Sequence, residues 1–288
     1  MVGDEVAVLQ QRLIDLAFDP GPVDGYFGHA TRRAVWTFEK LIMSTPRDEV
    51  TGIVTGAVWD TMLAATAAEP RRPGEGDRHT EIYLPEQVLA VFHAGHPVLV
   101  SHMSSGAGDE WCEIVTIDVD ERGRKLDEVT ERDVCGISTT PGGVFEYFRR
   151  IEGVRNGALG SMWNPVYFNY GIAVHGAIDV PLRPASHGCV RIPMHISDYF
   201  QTLVTNGDRV LVWNGDKEPE QLSEREMLPV FDYPNPNSTT TTENANTTTP
   251  NTSSSSTTST TAPPTPAPAP ATSTAPSPST PAPTTSQA

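Results

Sequence analysis

Apolar residues recur every three or four positions along the first 64 residues, which is the spacing of one buried helix face. Three such stripes occur: Val6, Leu9, Leu13 and Leu16; then Ala34, Val35, Phe38, Leu41 and Ile42; then Val58, Trp59, Met62 and Leu63. Pro20-Gly21-Pro22 ends the first helix, and Thr55 is suited to cap the third. Residues 4–68 are therefore predicted to form a small three-helix bundle.

Beyond residue 78 the apolar period changes from that of helices to that of short strands. Residues 69–78 contain two prolines and two glycines and predict a polar linker. Strand candidates separated by Gly and Pro follow at 82–84, 88–92, 98–100, 144–148, 166–170, 172–174 and 210–213, with one helix near Ile196–Val204. The pattern predicts an α+β, multi-domain chain whose second domain, 79–214, is a mainly antiparallel, β-sandwich-like unit.

The last part of the chain has a composition that opposes folding. Residues 215–236 predict an irregular extension, and from 237 to 288 Ser, Thr, Pro and Ala make up 46 of 52 residues. No aliphatic or aromatic side chain larger than Ala occurs there, so burial cannot offset the entropy lost on ordering. We predict a disordered tail over 237–288.

Charge and hydropathy narrow the possible partners. The chain has 20 basic and 36 acidic residues, a formal net charge of −16, which argues against nucleic-acid binding. No run of about 18 uncharged apolar residues occurs, so no membrane span is expected. The first residues lead directly into a helical pattern, and no signal peptide is visible.

One short segment carries the features of a catalytic cysteine. Cys189 lies in Ser186-His187-Gly188-Cys189-Val190-Arg191, downstream of His175-Gly176. A thiol becomes a nucleophile when a base takes its proton, and imidazole titrates near neutral pH. Gly188 lets backbone N–H groups approach a reacting carbonyl, because no Cβ stands in the way.

These residues resemble the signature of the L,D-transpeptidase family (YkuD-type catalytic domain). That signature joins His-Gly to Ser-His-Gly-Cys followed by an apolar residue and Arg. The segments Thr140-Pro141-Gly142-Gly143-Val144-Phe145 and Ser104-Ser105-Gly106 also resemble the family, and the match runs from about 79 to 213. The helical part resembles a peptidoglycan-binding domain through Leu9-Gln10, Leu13, Val23–Gly28, Thr31, Ala34-Val35 and Phe38-Glu39.

The resemblance implies a role for each residue of the segment. Cys189 attacks the carbonyl of the diamino acid at stem-peptide position three, D-Ala leaves, and the amine of a second stem resolves the thioester to give a 3→3 cross-link. His175 is the expected base, and His187 orients the loop or the base. Backbone N–H groups of Gly188 and Cys189 hold the oxyanion. Arg191 either pairs with a substrate carboxylate or forms an internal ion pair.

The resemblance also implies where peptidoglycan binds. The donor stem is expected to contact Gly176, Ser186 and a groove lined by Met162, Tyr167, Phe168 and Tyr170. The ligand face of the helical module is expected at Asp24, Gly25, Tyr26, Phe27, Gly28 and Thr31. Donor and acceptor stem peptides are thus the expected partners, and no cofactor or metal is implied. Such an enzyme works outside the membrane, in the wall or secreted, in wall biosynthesis and cell shape.

Two further cysteines bracket a charged segment that departs from the family pattern. In an oxidising compartment a bridge between Cys112 and Cys135 would close this loop and contribute roughly 3 kcal/mol in the chain-entropy model. Otherwise both residues are reduced, half-buried thiols.

Three alternative functions stay open at the level of sequence. Water could hydrolyse the same thioester, which would make the chain an L,D-carboxypeptidase. A zinc-dependent wall peptidase could use His175, Asp179, His187 and Cys189 as ligands, although prolines interrupt their spacing. The chain could also be a non-catalytic wall-binding protein with an inert Cys189.

Overall fold

A computed structural model describes residues 1–119 and 124–230. The predicted tail, 237–288, lies outside the described residues, as does the end of the predicted extension 215–236. The described part of that extension contains a short 3-10 helix, Pro219–Gln221, and Met227 packs against the core of the strand-rich domain.

Three helices form the N-terminal part, as the apolar spacing predicts. They are α1 (Asp4–Asp15), α2 (His29–Leu41) and α3 (Gly56–Ala64). The hydroxyl of Thr55 accepts a hydrogen bond from the backbone N–H of Val58 at 3.3 Å and caps α3. Leu13 and Phe38 are completely buried where the helices meet.

Two sheets form the strand-rich part. The first contains β1 (Arg78–Tyr83), β2 (Val88–His93), β3 (His96–His102), β6 (Gly143–Glu146) and β12 (Arg209–Trp213), in the order β3-β2-β1-β12-β6. The second contains β7 (Arg149–Arg150), β8 (Val154–Gly157), β9 (Gly160–Asn169), β10 (Ile172–Ala177) and β11 (Val190–Pro193), in the order β11-β10-β9-β7 with β8 also paired to β9. Only β1 with β12 and β10 with β11 pair in parallel among the described strands, so the mainly antiparallel fold class is confirmed.

A long hairpin occupies the charged segment between the two cysteines. Strands β4 (Glu110–Val119) and β5 (Lys125–Ile137) pair only with each other. Cys112 and Cys135 are directly opposite in the register and are joined by a disulfide.

Alternating residues of the first sheet face two different cores, since successive side chains of a strand point to opposite faces. Ile82 and Val212 pack in the core between the two sheets, together with residues of α4 (Met194–Leu203) such as Phe200. Tyr83 and Trp213, on the other face, pack in a core shared with α1, α2 and α3. Burial on both faces explains why β2 is a continuous apolar run.

The predicted linker is held against the sheet. The backbone N–H groups of Arg71 and Arg72 donate to the buried carboxylate of Glu81, each at 2.8 Å. Arg78, placed in the linker by the sequence pattern, is the first residue of β1. The helical part and the sheets therefore form one compact unit, with a shared apolar core and an anchored connection.

Candidate active site

The parallel pairing of β10 with β11 brings His175 and Cys189 to one face of the second sheet. Val174 and Val190 are register partners and both are buried in the core between the sheets. Because side chains alternate, His175 and Cys189, one position to either side of these valines, point to the opposite face. Arg191, the register partner of His175, shares that face.

A tight turn formed by 186–189 positions the sulfur. The hydroxyl of Ser186 donates to the carbonyl of Cys189 and accepts from the backbone N–H of Gly188 at 3.1 Å. Gly188 has a φ of 121°, and a Cβ there would lie 2.9 Å from the carbonyl oxygen of Thr139. The turn therefore requires glycine at 188 and a short hydroxyl side chain at 186.

The turn rests on the two other segments that resemble the family signature. The hydroxyl of Thr140 donates to the carbonyl of Gly188 at 2.6 Å and accepts from the N–H of Gly106 at 2.9 Å. The carbonyl of Ser105 accepts from the backbone N–H groups of Ala185 and Ser186, both at 2.9 Å. These segments thus fix the position of the turn.

The hydrogen bond of His175 defines which ring nitrogen can act as a base. Nδ1 lies 3.0 Å from the carbonyl oxygen of Gly176, which can only accept, so Nδ1 carries the hydrogen. Nε2 is then the unprotonated nitrogen. Burial lowers the pKa of His175 to about 4, with a smaller contribution from Arg191 in the same direction, and the bond to Gly176 opposes this. The imidazole is neutral at pH 7.

The environment of Cys189 keeps the resting thiol protonated. Burial raises the pKa of Cys189 to about 11, although the N–H of Ala173 and the charge of Arg191 oppose this rise. The N–H of Ala173 donates to Sγ at 3.5 Å, and Sγ lies 3.9 Å from Sδ of Met162. The resting pair is therefore neutral thiol and neutral imidazole, and proton transfer accompanies attack on a substrate.

A cleft of about 1200 Å³ opens above the sulfur. One wall is the β8–β9 hairpin, including Met162 and Trp163. Another is the disulfide-linked β4–β5 hairpin, including Trp111 and Ile114. The cleft is large enough for a short peptide, because ligand pockets typically measure 300–1,000 Å³.

The predicted groove residues divide into lining and core residues. The cleft is lined by Met162, Tyr170, Gly176, Ser186, His187, Cys189 and Arg191. Phe168 does not line it, because its ring packs edge-on against Phe145 and Tyr147 in the core. Tyr167 is buried below the guanidinium of Arg149, which lies 4.1 Å from its ring centroid.

The surroundings of His187 and Gly188 bear on the catalytic roles predicted for them. His187 is exposed on the cleft, so it can meet a ligand, and no bond to His175 or Cys189 forms within the described residues. The N–H of Gly188 is already bonded to the hydroxyl of Ser186, so in this conformation it does not offer itself to an oxyanion.

The expected ligand face of the helical module is organised by Gln10. Its side-chain amide donates to Asp24, to the carbonyl of Tyr26 and to Thr31, and accepts from the N–H groups of Asp24 and Gly25. These bonds explain Asp24, Gly25 (φ 69°) and Thr31 as residues that shape the loop. Phe27 and Gly28 are half-buried, whereas the Tyr26 side chain is exposed and free to meet a ligand.

Comparisons with known proteins agree with both halves of this architecture. Residues 2–62 match the profile of the putative peptidoglycan binding domain, and 77–212 match that of the L,D-transpeptidase catalytic domain. A crystal structure of the L,D-transpeptidase (residues 123–326) from Xylanimonas cellulosilytica is 32% identical, with a TM-score of 0.60. The alignment covers 74% of this chain and 94% of that one.

The chain belongs to the L,D-transpeptidase family. Two further L,D-transpeptidase structures are more distant. The one from Stackebrandtia nassauensis is 19% identical, covering 74% of this chain and 92% of the other, with a TM-score of 0.37. The one from Mycobacterium smegmatis is 15% identical, covering 48% and 58%, with a TM-score of 0.34. No curated protein shows significant similarity to this L,D-transpeptidase.

Neither a metal site nor a membrane-spanning helix is found in the part of the chain that the structure describes. Within 1–119 and 124–230, no group of three or more His, Cys, Asp or Glu side chains is arranged to hold a metal ion. Asp179, one of the ligands weighed for zinc, is exposed at the edge of the cleft. No helix in the same part of the L,D-transpeptidase is long and apolar enough to cross a membrane.

Several residues of the cleft were not predicted from the sequence. The β4–β5 hairpin contributes Trp111, Ile114 and Val134 to its lining, and the second sheet contributes Arg149 and Arg155. Alternation within the hairpin indicates an apolar face, but nothing in the sequence of this L,D-transpeptidase says what that face covers. The sequence alone does not show which of the two adjacent arginines, Arg149 or Arg150, lines the cleft.

Proposed function

We propose that this L,D-transpeptidase forms 3→3 cross-links between peptidoglycan stem peptides through a thioester on Cys189. The observation that carries the proposal is the shared orientation of Cys189 and His175 on one face of β10 and β11, inside a peptide-sized cleft. The bond from Nδ1 of His175 to Gly176 leaves Nε2 as a base for the thiol proton.

In the first step, Sγ of Cys189 attacks the carbonyl carbon of the position-three diamino acid. Nε2 of His175 takes the thiol proton and then gives it to the departing nitrogen of D-Ala. The C–N bond breaks and a C–S thioester forms. The backbone N–H of Cys189 is the donor best placed for the oxyanion, because that of Gly188 is bonded to Ser186.

In the second step, the side-chain amine of a second stem attacks the thioester carbon. Its proton passes to Nε2 of His175, the C–S bond breaks, and the sulfur leaves with a proton. Water would give a tripeptide instead, which is the L,D-carboxypeptidase outcome. Walls on two sides of the cleft, from β4–β5 and β8–β9, limit the access of water to the thioester and favour the amine.

We infer an extracytoplasmic place of action, in the wall or as a secreted protein, with a role in wall biosynthesis and cell shape. Its polymer substrate lies outside the membrane, and the Cys112–Cys135 bond fits an oxidising compartment. The helical module would hold the enzyme on peptidoglycan, with Tyr26 in its ligand face.

The test is mass spectrometry of purified disaccharide-tetrapeptide after incubation with the enzyme. We expect a 3→3 linked dimer and free D-Ala, and neither product with Cys189→Ser. Tripeptide alone would replace transfer by hydrolysis. Unchanged tetrapeptide would leave only a wall-binding protein, and products from Cys189→Ser that vanish with a chelator would indicate a zinc peptidase.

A further inference from the structure

Positive charge is concentrated in the cleft of a strongly acidic protein. The chain has a formal net charge of −16, yet among the described residues the cleft is lined by three arginines, Arg149, Arg155 and Arg191, and by one carboxylate, Asp179. Asp179 lies near Arg33 of α2, where it opposes the lowering of the Arg33 pKa by burial. The cleft therefore presents a net positive field to its ligand.

The three arginines lack the carboxylate partners that arginines elsewhere in the molecule have. Arg72 pairs with Glu218 and Glu220, and Arg209 pairs with Glu75. No ion pair involves Arg149, Arg155 or Arg191 among the residues that the structure describes. Among the described residues no carboxylate competes with a ligand for these three guanidinium groups, although one N–H of Arg155 donates to the carbonyl of Asn156.

Arg149 shows this contrast most clearly beside its neighbour. Arg150 donates to the carbonyls of Gln201 and Val204 at 3.0 and 3.1 Å, and so holds the end of α4. The guanidinium of Arg149 instead lies over the ring of Tyr167, 4.1 Å from its centroid, and its buried Nε has no hydrogen-bond partner among the described residues. Arg149 lines the cleft, so its guanidinium, unlike that of Arg150, can face a carboxylate of a ligand.

The strand pairings place these charges around the reacting sulfur. Arg155 is the cross-strand partner of Met162, whose Sδ lies 3.9 Å from Sγ of Cys189. Arg149 is the cross-strand partner of Tyr167, which pairs on its other side with Ala173, the residue whose N–H donates to Sγ of Cys189. Arg191 follows the sulfur by two residues and stands next to His175. The three charges come from three different strands.

We propose that Arg149 and Arg155 select donor stems that carry free side carboxylates over stems in which these groups are carboxamides or absent. The proposal rests on the proposed function and names the substrate class of the same cleft. Arg191, two residues after Cys189 and in register with His175, would pair with the D-Ala carboxylate that every donor has. The side carboxylates of a stem lie at position two, on D-isoglutamate, and at position three, on diaminopimelate.

The test measures the rate at which Cys189 is acylated by four soluble tetrapeptides, using intact-protein mass spectrometry of the full chain. The four differ only in whether positions two and three carry a carboxylate or a carboxamide. We expect the doubly carboxylated donor to acylate about tenfold faster than the doubly amidated one, since a factor of ten corresponds to one charge-assisted contact. The singly amidated donors show which position is read.

Variants separate selection from a structural effect. Arg149→Gln and Arg155→Gln are expected to reduce the rate ratio between the carboxylated and amidated donors towards one. Arg150→Gln, which removes the same charge one residue away, is expected to lower the melting temperature and keep the ratio. Acylation with a ratio near one in the native protein, or a ratio unchanged in both Arg149→Gln and Arg155→Gln, overturns the selection proposal alone. No acylation by any donor overturns the proposed function itself.

Discussion

Lys40 of α2 donates to the backbone carbonyl of Gln87 at 2.8 Å, inside the interface between the helical module and the first sheet. The side chain of Gln87 in turn bonds the N–H and the hydroxyl of Ser105, both at 2.8 Å. The carbonyl of Ser105 accepts from the N–H of Ser186 in the turn that carries Cys189. Three consecutive links thus join the peptidoglycan-binding module to the residues that position Cys189.

Lys40→Met is expected to slow acylation of Cys189 by about tenfold even with a small soluble donor that needs no wall binding. The amine also contacts Nδ1 of His102 at 2.9 Å, so its loss leaves two buried acceptors without a donor and costs about 2 kcal/mol of stability. Acylation rates and melting temperatures check both effects. Lys217→Met, at an exposed ion pair, is the control and should change neither. A lower melting temperature with an unchanged rate would contradict the link to the turn.

The lowered pKa of Lys40 should make the free energy of unfolding depend on pH. Burial lowers the pKa of Lys40 to about 7 from an ordinary value of 10.5. Between these values the unfolded chain binds more protons than the folded one, so the free energy of unfolding should rise as pH increases from about 7 to 9. Urea denaturation at several pH values measures this slope. The slope should be smaller in Lys40→Met, and equal slopes in both proteins would show that burial does not lower the pKa of Lys40.

The reactivity of Cys189 should follow the neutral resting pair. With the pKa of Cys189 near 11, alkylation by a small neutral reagent should accelerate steadily from pH 6 to 10. Acylation by a peptide uses His175 as a base, so it should rise through pH 4 and then stay level. Stopped-flow rates of alkylation from pH 6 to 10, and of acylation from below pH 4 to pH 10, test the two expectations. A plateau of alkylation at neutral pH would indicate a resting thiolate–imidazolium pair instead.

Gly188→Ala should abolish acylation. The added Cβ would lie 2.9 Å from the carbonyl of Thr139, a backbone atom held by its neighbours, at a φ of 121°. Gly207→Ala is a matched control, since Gly207 also has a positive φ, 94°, but open space around its Cβ position. It should cost about 1 kcal/mol of stability and retain the acylation rate. Equal activity of the two variants would show that the turn tolerates displacement.

The disulfide-linked hairpin should affect the fate of the thioester more than its formation. Replacing Cys112 and Cys135 together by Ser is expected to cost up to about 3 kcal/mol and to loosen one wall of the cleft. The ratio of tripeptide to cross-linked dimer should therefore rise, because water reaches the thioester more easily. Product analysis by mass spectrometry gives the ratio. An unchanged ratio would remove the hairpin from the shielding of the site.

The helices and strands, and the residues His175 and Cys189, could be predicted because each depends on a pattern within a short stretch of sequence. The apolar stripe containing Phe38 defines α2, and the His-Gly and Ser-His-Gly-Cys segments place His175 and Cys189. The sequence defines the ends of elements less well than the elements themselves. Arg78 is an example, because it lies in β1 although the composition of 69–78 predicts a linker. A short sequence pattern does not indicate which distant strand a backbone N–H or carbonyl group bonds to.

The remaining features depend on contacts between distant segments. Lys40 is a charged residue on a predicted helix, and its burial follows only from the sheet that packs against α2. Phe168 is one of three aromatic residues predicted to line the groove, and its burial in the core follows only from the pairing of the strands. The difference between Arg149 and Arg150 likewise arises because one faces the cleft and the other faces the end of α4.

The covalent state of Cys189 after exposure to a donor tests the account most directly. A soluble tetrapeptide is mixed with the folded protein, the reaction is stopped with acid, and intact and peptide-level masses are recorded. The predicted result is a gain in mass equal to the tripeptide acyl group, located on Cys189 and missing from Cys189→Ser. Conversion of the donor by Cys189→Ser, or an unmodified Cys189 with the donor left intact, would contradict the thioester mechanism.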